Sequence, residues 1–383
     1  MPLKLRAWQE EALARWEAAG HRGIVGVVTG GGKTVFALSC VARLRPPTTL
    51  VVVPTAALLD QWWEEAASYF AVGLDEIQIL SSKARMRAGT INIAVLNTAA
   101  ALTEAGRILP SFLIIDECHK AGADKFRTVL NAPKIAALGL SATPERPYDD
   151  ALAQVIVPAL GNVIFTYGYP EALRDGVIVP FLLHNVVFEL EEDRRLDYER
   201  LTKIIARSIQ QNGIEAQETV AALLRRARVL NLSPSRIRLA ISLVAQNRGK
   251  RTLIFHEDIE ACNVIGEVLI QNGVRAGIYH SALPVKERAR MLFGYRRGDL
   301  DVLVTCKALD EGFNVPETEV GIIAASTATR RQRIQRLGRV LRPAGGKASA
   351  EIYTLVATAP EITRLREEQS ELEGVADVTW SQG

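Results

Sequence analysis

Thr29-Gly30-Gly31-Gly32-Lys33-Thr34 follows a short apolar run and opens onto Val35-Phe36-Ala37-Leu38, a stretch that continues as a helix. Strand, glycine turn and helix in that order make a cradle for phosphate. Glycines let successive N–H groups turn inward, and the helix start adds about half a positive charge. Lys33 is then placed to hold the β and γ phosphates, and Thr34 to offer its hydroxyl to Mg²⁺. The strict pattern asks for glycine at position 27, where this chain has Val27.

A second apolar run, Phe112-Leu113-Ile114-Ile115, delivers Asp116-Glu117-Cys118-His119 at its end. Two adjacent carboxylates at the end of a buried strand need a cation, because nothing apolar can offset them. Asp116 is the expected Mg²⁺ partner, directly or through water, and Glu117, on the other side of the pleat, can orient and deprotonate an attacking water. Arg330, Arg331, Arg333, Arg336, Arg339 and Arg342 fall within thirteen positions that hold no acidic residue. Solvation alone rarely requires such a density.

These groups need rigid elements to hold them. Gly23 to Val28, Thr49 to Val53, Ile91 to Leu96, Phe112 to Ile115 and Ala137 to Leu140 read as strands separated by amphipathic stretches. Near-continuous apolar strands alternating with helices imply a parallel sheet covered on both faces. The rhythm returns at Thr252 to Phe255, Ala276 to Tyr279, Val302 to Val304, Val320 to Ala325 and Ile352 to Leu355. The expectation is an α/β chain of two lobes, 1–160 and 233–383, joined by a connector and helical insertion over 161–232. Val163 to Leu190 reads as strand, helix, strand, the insertion breaks at Asn212-Gly213 and Ser233-Pro234, and the end after Ala359 reads as a solvated helix.

Composition supports an ordinary soluble chain. Its 383 residues are 48% hydrophobic and 23% charged, which excludes collagen, low-complexity disorder and coiled-coil fibres. No apolar run reaches membrane-spanning length and the opening MPLKLRAWQEEALARW lacks the apolar core of a signal peptide, so a cytoplasmic chain without membrane association is expected. Cys40, Cys118, Cys262 and Cys306 lie far apart and read as buried thiols. Net charge is only +3, so a polyanion would meet a local groove rather than a broad basic face.

The order of these motifs resembles that of the superfamily 2 helicases and translocases, of DExH type. Ser141-Ala142-Thr143 follows the Asp-Glu-Cys-His segment as in that family, and Pro54-Thr55 with Leu58 and Gln61-Trp62 resembles its motif Ia. Thr252 to Phe255, Thr305 with Asp310-Glu311-Gly312, and Gln335 to Arg342 resemble motifs IV, V and VI. The phrases RAWQ, PTAALLDQW, SATPER, DEGFNVP and QRLGRVLRP are most similar to the branch of the xeroderma pigmentosum group B helicase, UvsW and RadD.

The resemblance implies two tandem RecA-like lobes that use ATP and Mg²⁺. Arg6 and Gln9 would bind the nucleotide, with the Gln9 amide matching the adenine edge, and Gly312 would contact it from the second half. Arg339 and Arg342 would approach the γ-phosphate when the lobes close, and Gln335 would bond either that phosphate or the attacking water. Thr55, Thr98 and Thr305 would donate to the backbone of a nucleic-acid strand without reading bases. His119, Ser141 and Thr143 would couple the two tasks. Motif V continues as Gly312-Phe313-Asn314 where relatives commonly carry Gly-Ile-Asp, and Val315 to Arg331 is too short for a long strand-separating hairpin.

The function so implied is that of an ATP-dependent helicase or translocase acting on nucleic acid, DNA rather than RNA, as a monomer with room for targeting partners and a setting in DNA repair. Two alternatives stay open: the motor part of a multi-chain restriction or defence nuclease, and an ATP-gated clamp without net unwinding.

Overall fold

The structure, a computed structural model, describes residues 4–142, 152–214, 216–306, 315, 317–325, 340–372 and 374–383. The chain divides into two compact units, one running to Ala172 and the other from Leu173 onward.

The first unit runs α1 (Ala7–Ala18), β1 (Arg22–Val27), α2 (Lys33–Leu44), β2 (Thr49–Val53), α3 (Ala56–Phe70), β3 (Gln78–Ile79), β4 (Ile91–Val95), α4 (Leu96–Glu104), β5 (Phe112–Asp116), β6 (Ala136–Ser141), α5 (Val157–Leu160) and β7 (Val163–Tyr167), and the division falls within α6 (Tyr169–Arg174). Its strands form one sheet in the order β3-β4-β2-β5-β6-β1-β7, with every pairing parallel. β2 and β5 are buried along their whole length, which is why they read as unbroken apolar runs: helices cover both faces. Trp16 is fully buried and its indole N–H donates to the Ala137 carbonyl at 3.0 Å, fixing α1 to the sheet. Trp8 stacks on Tyr167 with ring centroids 5.2 Å apart, so α1 also clamps β7.

Chain order and sheet order differ at the point that matters for chemistry. β1 and β5, whose ends carry the glycine turn and the paired carboxylates, are separated only by β6. Strands lie about 4.8 Å apart, so the two ends are about 10 Å from each other, within reach of one lysine side chain.

The second unit runs β8 (Phe181–Val187), α7 (Glu192–Asn212), α8 (Gln217–Asn231), α9 (Pro234–Gln246), β9 (Thr252–His256), α10 (Ile259–Gln271), β10 (Ala276–His280), α11 (Val285–Arg297), β11 (Val302–Cys306), β12 (Val320–Ile323), β13 (Ala350–Val356), α12 (Ala359–Glu371) and β14 (Asp377–Gln382). Its sheet is again all parallel, in the order β10-β11-β9-β12-β13-β8-β14. Segment 161–232 is shared out: β7 lies in the first sheet, β8 in the second, and α7 and α8 pack against each other. Gly213 follows α7, and Ser233 caps α9 with Pro234 in its first turn, so the expected breaks coincide with helix ends. A strand follows the terminal helix: β14 extends the sheet beside β8. Among the described residues no helix is long and apolar enough to cross a membrane, and the four cysteines are buried inside the two cores.

Beneath α12 the second unit buries a polar cluster that makes its stability pH-dependent. His256 is 1% exposed and is pushed down to about 4, first by burial and then by the Arg236 guanidinium, with Asp258 acting the other way. A free histidine titrates near 6.5, so as pH falls below that value the unfolded chain takes a proton that the folded chain refuses. Stability present above about pH 6.5 is therefore lost toward pH 4, by about 2 kcal/mol at pH 5. Thermal melts of the wild type between pH 7 and 5 should show this slope, and His256→Gln should flatten it. A parallel slope in the variant would assign the loss to other groups.

Candidate active site

Val27 ends β1 fully buried, and its side chain fills the floor of the glycine turn. A Cβ on Gly31 would lie 2.5 Å from Val27 Cγ1 and 3.0 Å from the Val28 carbonyl. The bulk at position 27 is thus accommodated by the absence of a side chain at position 31. Gly32, with φ +99°, turns the chain left-handed into α2, a conformation that favours glycine. Gly32, at the N-cap of α2, has no side chain to cap it. Its first N–H groups have no partner within the helix, which is the arrangement an anion completes.

Lys33 opens α2 and reaches across β6 to Glu117. Lys33 Nζ is 3.0 Å from Glu117 Oε1, and both side chains are nearly buried. Burial works against the lysine charge, but Glu117 and Asp116 outweigh it and hold the Lys33 pKa above its ordinary value. Asp116 is pushed upward by burial and by Glu117, with Lys33 opposing. Its two oxygens are held separately: Oδ2 accepts from Trp62 Nε1 at 2.9 Å, and Oδ1 accepts from the Glu117 N–H at 3.0 Å.

Glu117 does not continue the strand. β5 ends at Asp116, and Glu117 adopts φ +49° and ψ +51° before the short helical turn Cys118–Gly122. The expected pleat alternation is replaced by a left-handed turn, which costs about 1–2 kcal/mol for a residue with a side chain. That turn brings Glu117 to Lys33, and it places His119 Nδ1 3.5 Å from Glu117 Oε2.

The residues that would hold ATP and Mg²⁺ pass a test of fit on this chain alone. Thr29 Oγ1 is buried with no hydrogen-bond partner, the start of α2 is uncapped, and a side chain on Gly31 would collide with the floor of the turn. Thr34 stands in the first turn of α2, beside Lys33. Thr34 and Asp116 are the candidate metal partners, and Thr29, Gly30, Gly31, Gly32 and Lys33 line the cradle.

Gln9 is placed differently from a free adenine reader. It is 2% exposed, its Oε1 accepts the Arg6 N–H at 2.8 Å, and its Nε2 donates to the Gly32 carbonyl at 3.0 Å. The amide ties the start of α1 to the cradle itself, so a base bound there must share or replace those bonds. Arg6 takes part through its backbone.

Thr55 caps α3, with its hydroxyl oxygen accepting the Leu58 N–H at 3.4 Å, which leaves the O–H free to donate outward. Thr98 lies in the first turn of α4 and is partly exposed. Thr305 is the exception. It is inside β11, 1% exposed, and its hydroxyl donates to the Ile254 carbonyl of β9 at 3.1 Å. That donor serves the sheet in this arrangement. Ser141, the last residue of β6, is fully buried between the cradle strand and the carboxylate strand. Arg342 belongs to the second unit, where its carbonyl accepts from Lys347 Nζ at 2.9 Å. Thr143, Gly312, Gln335 and Arg339 lie outside the described residues.

Sequence reasoning did not anticipate the bond from Trp62 to Asp116. The two are 54 positions apart, and only their places at the end of β5 and on α3 bring them together.

Residues 2–146 match the family described as type III restriction enzyme, res subunit, and residues 235–344 match the helicase conserved C-terminal domain. The chain is 27% identical over 391 residues to the DNA 3'-5' translocase XPB2 of Sulfurisphaera tokodaii, covering 96% of this chain and 85% of that protein. It is also 27% identical over 364 residues to the DNA 3'-5' helicase XPB of Kineococcus radiotolerans, covering 92% of this chain but only 60% of that protein. Among solved structures, the Hef helicase domain of Pyrococcus furiosus superposes with a TM-score of 0.61 at 16% identity, covering 95% of this chain and 98% of that one. At that identity the likeness speaks to the fold, which is that of tandem RecA-like lobes. Two matched motor domains in this order, each on a parallel-sheet unit, place the chain among the superfamily 2 helicases and translocases, and the XPB proteins are relatives that it resembles.

Proposed function

We propose that the chain is an ATP-driven motor that moves along DNA. The observation that carries this reading is the Lys33 to Glu117 pair at 3.0 Å with Asp116 alongside, set beneath an uncapped helix start and the unpartnered Thr29 hydroxyl. Lys33 would bind the terminal phosphates, and Glu117, released from Lys33 as they arrive, would take the proton of the attacking water. Bound Mg²⁺ would supply charge neutralisation at the β and γ phosphate oxygens. Arg339 and Arg342 remain the proposed guanidinium donors for the transition state, with Gln335 beside them. Thr55 and Thr98 would hold phosphodiester oxygens, positioning a strand without reading it. The names of the XPB relatives support DNA rather than RNA as the track.

A second reading has its own support. The match of residues 2–146 to a restriction-enzyme subunit allows this chain to be the motor of a nuclease whose cutting part lies in another chain.

The deciding experiment measures ATP hydrolysis by the full chain alone and with single-stranded DNA, duplex DNA or RNA. The motor reading expects stimulation by DNA and little by RNA. Hydrolysis indifferent to every nucleic acid would sink it, and duplex cleavage appearing only with a partner protein would favour the second reading.

A further inference from the structure

The Trp62 indole lies in the first unit, 0% exposed, at the level of the carboxylate strand's end. Its N–H has one acceptor, Asp116 Oδ2 at 2.9 Å, while the Glu117 N–H takes Asp116 Oδ1 at 3.0 Å. A carboxylate oxygen has two lone-pair sites, so these two donors fix the plane of the carboxylate and leave one site on each oxygen open. A tryptophan packed on all sides cannot follow a carboxylate that rotates. It dictates the orientation.

The same side chain belongs to α3, whose first turn is capped by Thr55. Trp62 lies seven positions after Thr55, about 10 Å along a helix axis. A rigid helix of fifteen residues therefore carries a proposed strand contact at its start and the carboxylate's anchor two turns later. Any shift of α3 along or about its axis moves both.

We propose that Trp62 is a positioning residue that sets the Asp116 carboxylate for Mg²⁺, and that α3 ties this setting to the strand contact at Thr55. The metal half stands on geometry within the first unit. The coupling half rests on the DNA-motor reading above.

The test uses the full chain carrying Trp62→Phe, which keeps a buried ring and removes the N–H donor. Binding of a fluorescent ADP analogue is measured with and without Mg²⁺, so the readout does not depend on turnover. The variant should bind the metal-free analogue as the wild type does and lose about 10–100-fold of the Mg²⁺-dependent gain, the usual cost of removing an outer partner of a metal ligand. Adding single-stranded DNA should tighten Mg²⁺-nucleotide binding in the wild type, and by linkage nucleotide should tighten DNA binding by the same factor. That factor should fall toward unity in the variant.

If Trp62→Phe melts prematurely, site-specific replacement of Trp62 by 3-benzothienylalanine keeps the shape and exchanges N–H for sulfur. An undiminished Mg²⁺-dependent gain in either folded variant overturns the positioning role. DNA coupling that survives where the metal gain has collapsed overturns the tie through α3. Because the metal arm contains no DNA, a wild type that shows no DNA stimulation would defeat the motor reading and still let the Trp62 assignment be read.

Discussion

Glu117→Gln should leave a protein that binds ATP at least as tightly as the wild type and hydrolyses it about 10²–10⁴-fold more slowly. The slowing follows from the role: an amide still donates and accepts hydrogen bonds and can still orient a water, but it does not take up a proton. The binding expectation comes from the ground state. Lys33 spends its charge on Glu117 Oε1 at 3.0 Å, so an incoming phosphate competes with a carboxylate for the ammonium. Glutamine removes the charge from the competitor. The left-handed turn at position 117 is a property of the backbone, and glutamine meets the same cost there as glutamate. Single-turnover hydrolysis and equilibrium nucleotide binding, measured side by side, separate the two effects. Binding that falls together with the rate would make Glu117 a structural support for Lys33 rather than the base.

Much of this site was legible because its parts are local. Three glycines before Lys33-Thr34, after a run of apolar β-formers, admit few structures, and Phe112 to Asp116 announces a buried strand by the absence of any polar residue before its end. The strands at Thr49–Val53 and Phe112–Asp116 were readable for the same reason that they are buried: a parallel sheet covered on both faces needs no alternation. Where those conditions lapse, the reading fails. β14 alternates only partly buried Val378 and Trp380 with exposed neighbours at the sheet's edge, and a segment so polar looks like a solvated tail. β3 is two residues long and carries no period at all.

Side-chain direction was the other limit. Thr305 stands in Val302–Cys306, and its residue type fits a hydroxyl aimed at a strand phosphate as well as one turned onto the Ile254 carbonyl. Which of these holds depends on the neighbouring strand, β9, fifty positions earlier. Gln9 is similar: its spacing from the first helix fits an adenine reader, and only the folded cradle shows the amide tied to Gly32. The bond from Trp62 to Asp116 is the extreme case. Neither residue is unusual where it stands, and the sheet order β2-β5 with α3 above it creates their meeting.

Lys33→Ala should abolish turnover and nucleotide binding, and it should also destabilise the empty protein. Removing the cation leaves Asp116 and Glu117 adjacent, both nearly buried, with burial already pushing Asp116 upward and Lys33 the main group opposing it. Loss of one partner from a fully buried pair costs about 3–5 kcal/mol, and with about a tenth of each side chain still wet a loss on the order of 2 kcal/mol is expected here. The double variant Lys33→Ala with Glu117→Gln discriminates between the two consequences. Neutralising position 117 removes the repulsion, so stability should recover most of the deficit, giving a coupling energy of about 1–2 kcal/mol in the cycle. Turnover should not recover, because nothing in the double variant replaces the ammonium against the phosphates. Denaturant titration of the four proteins, with ATP hydrolysis measured on each, tests both limbs. Additive stability effects would show that the 3.0 Å pair contributes nothing to the fold, and hydrolysis surviving in either alanine variant would remove Lys33 from the site.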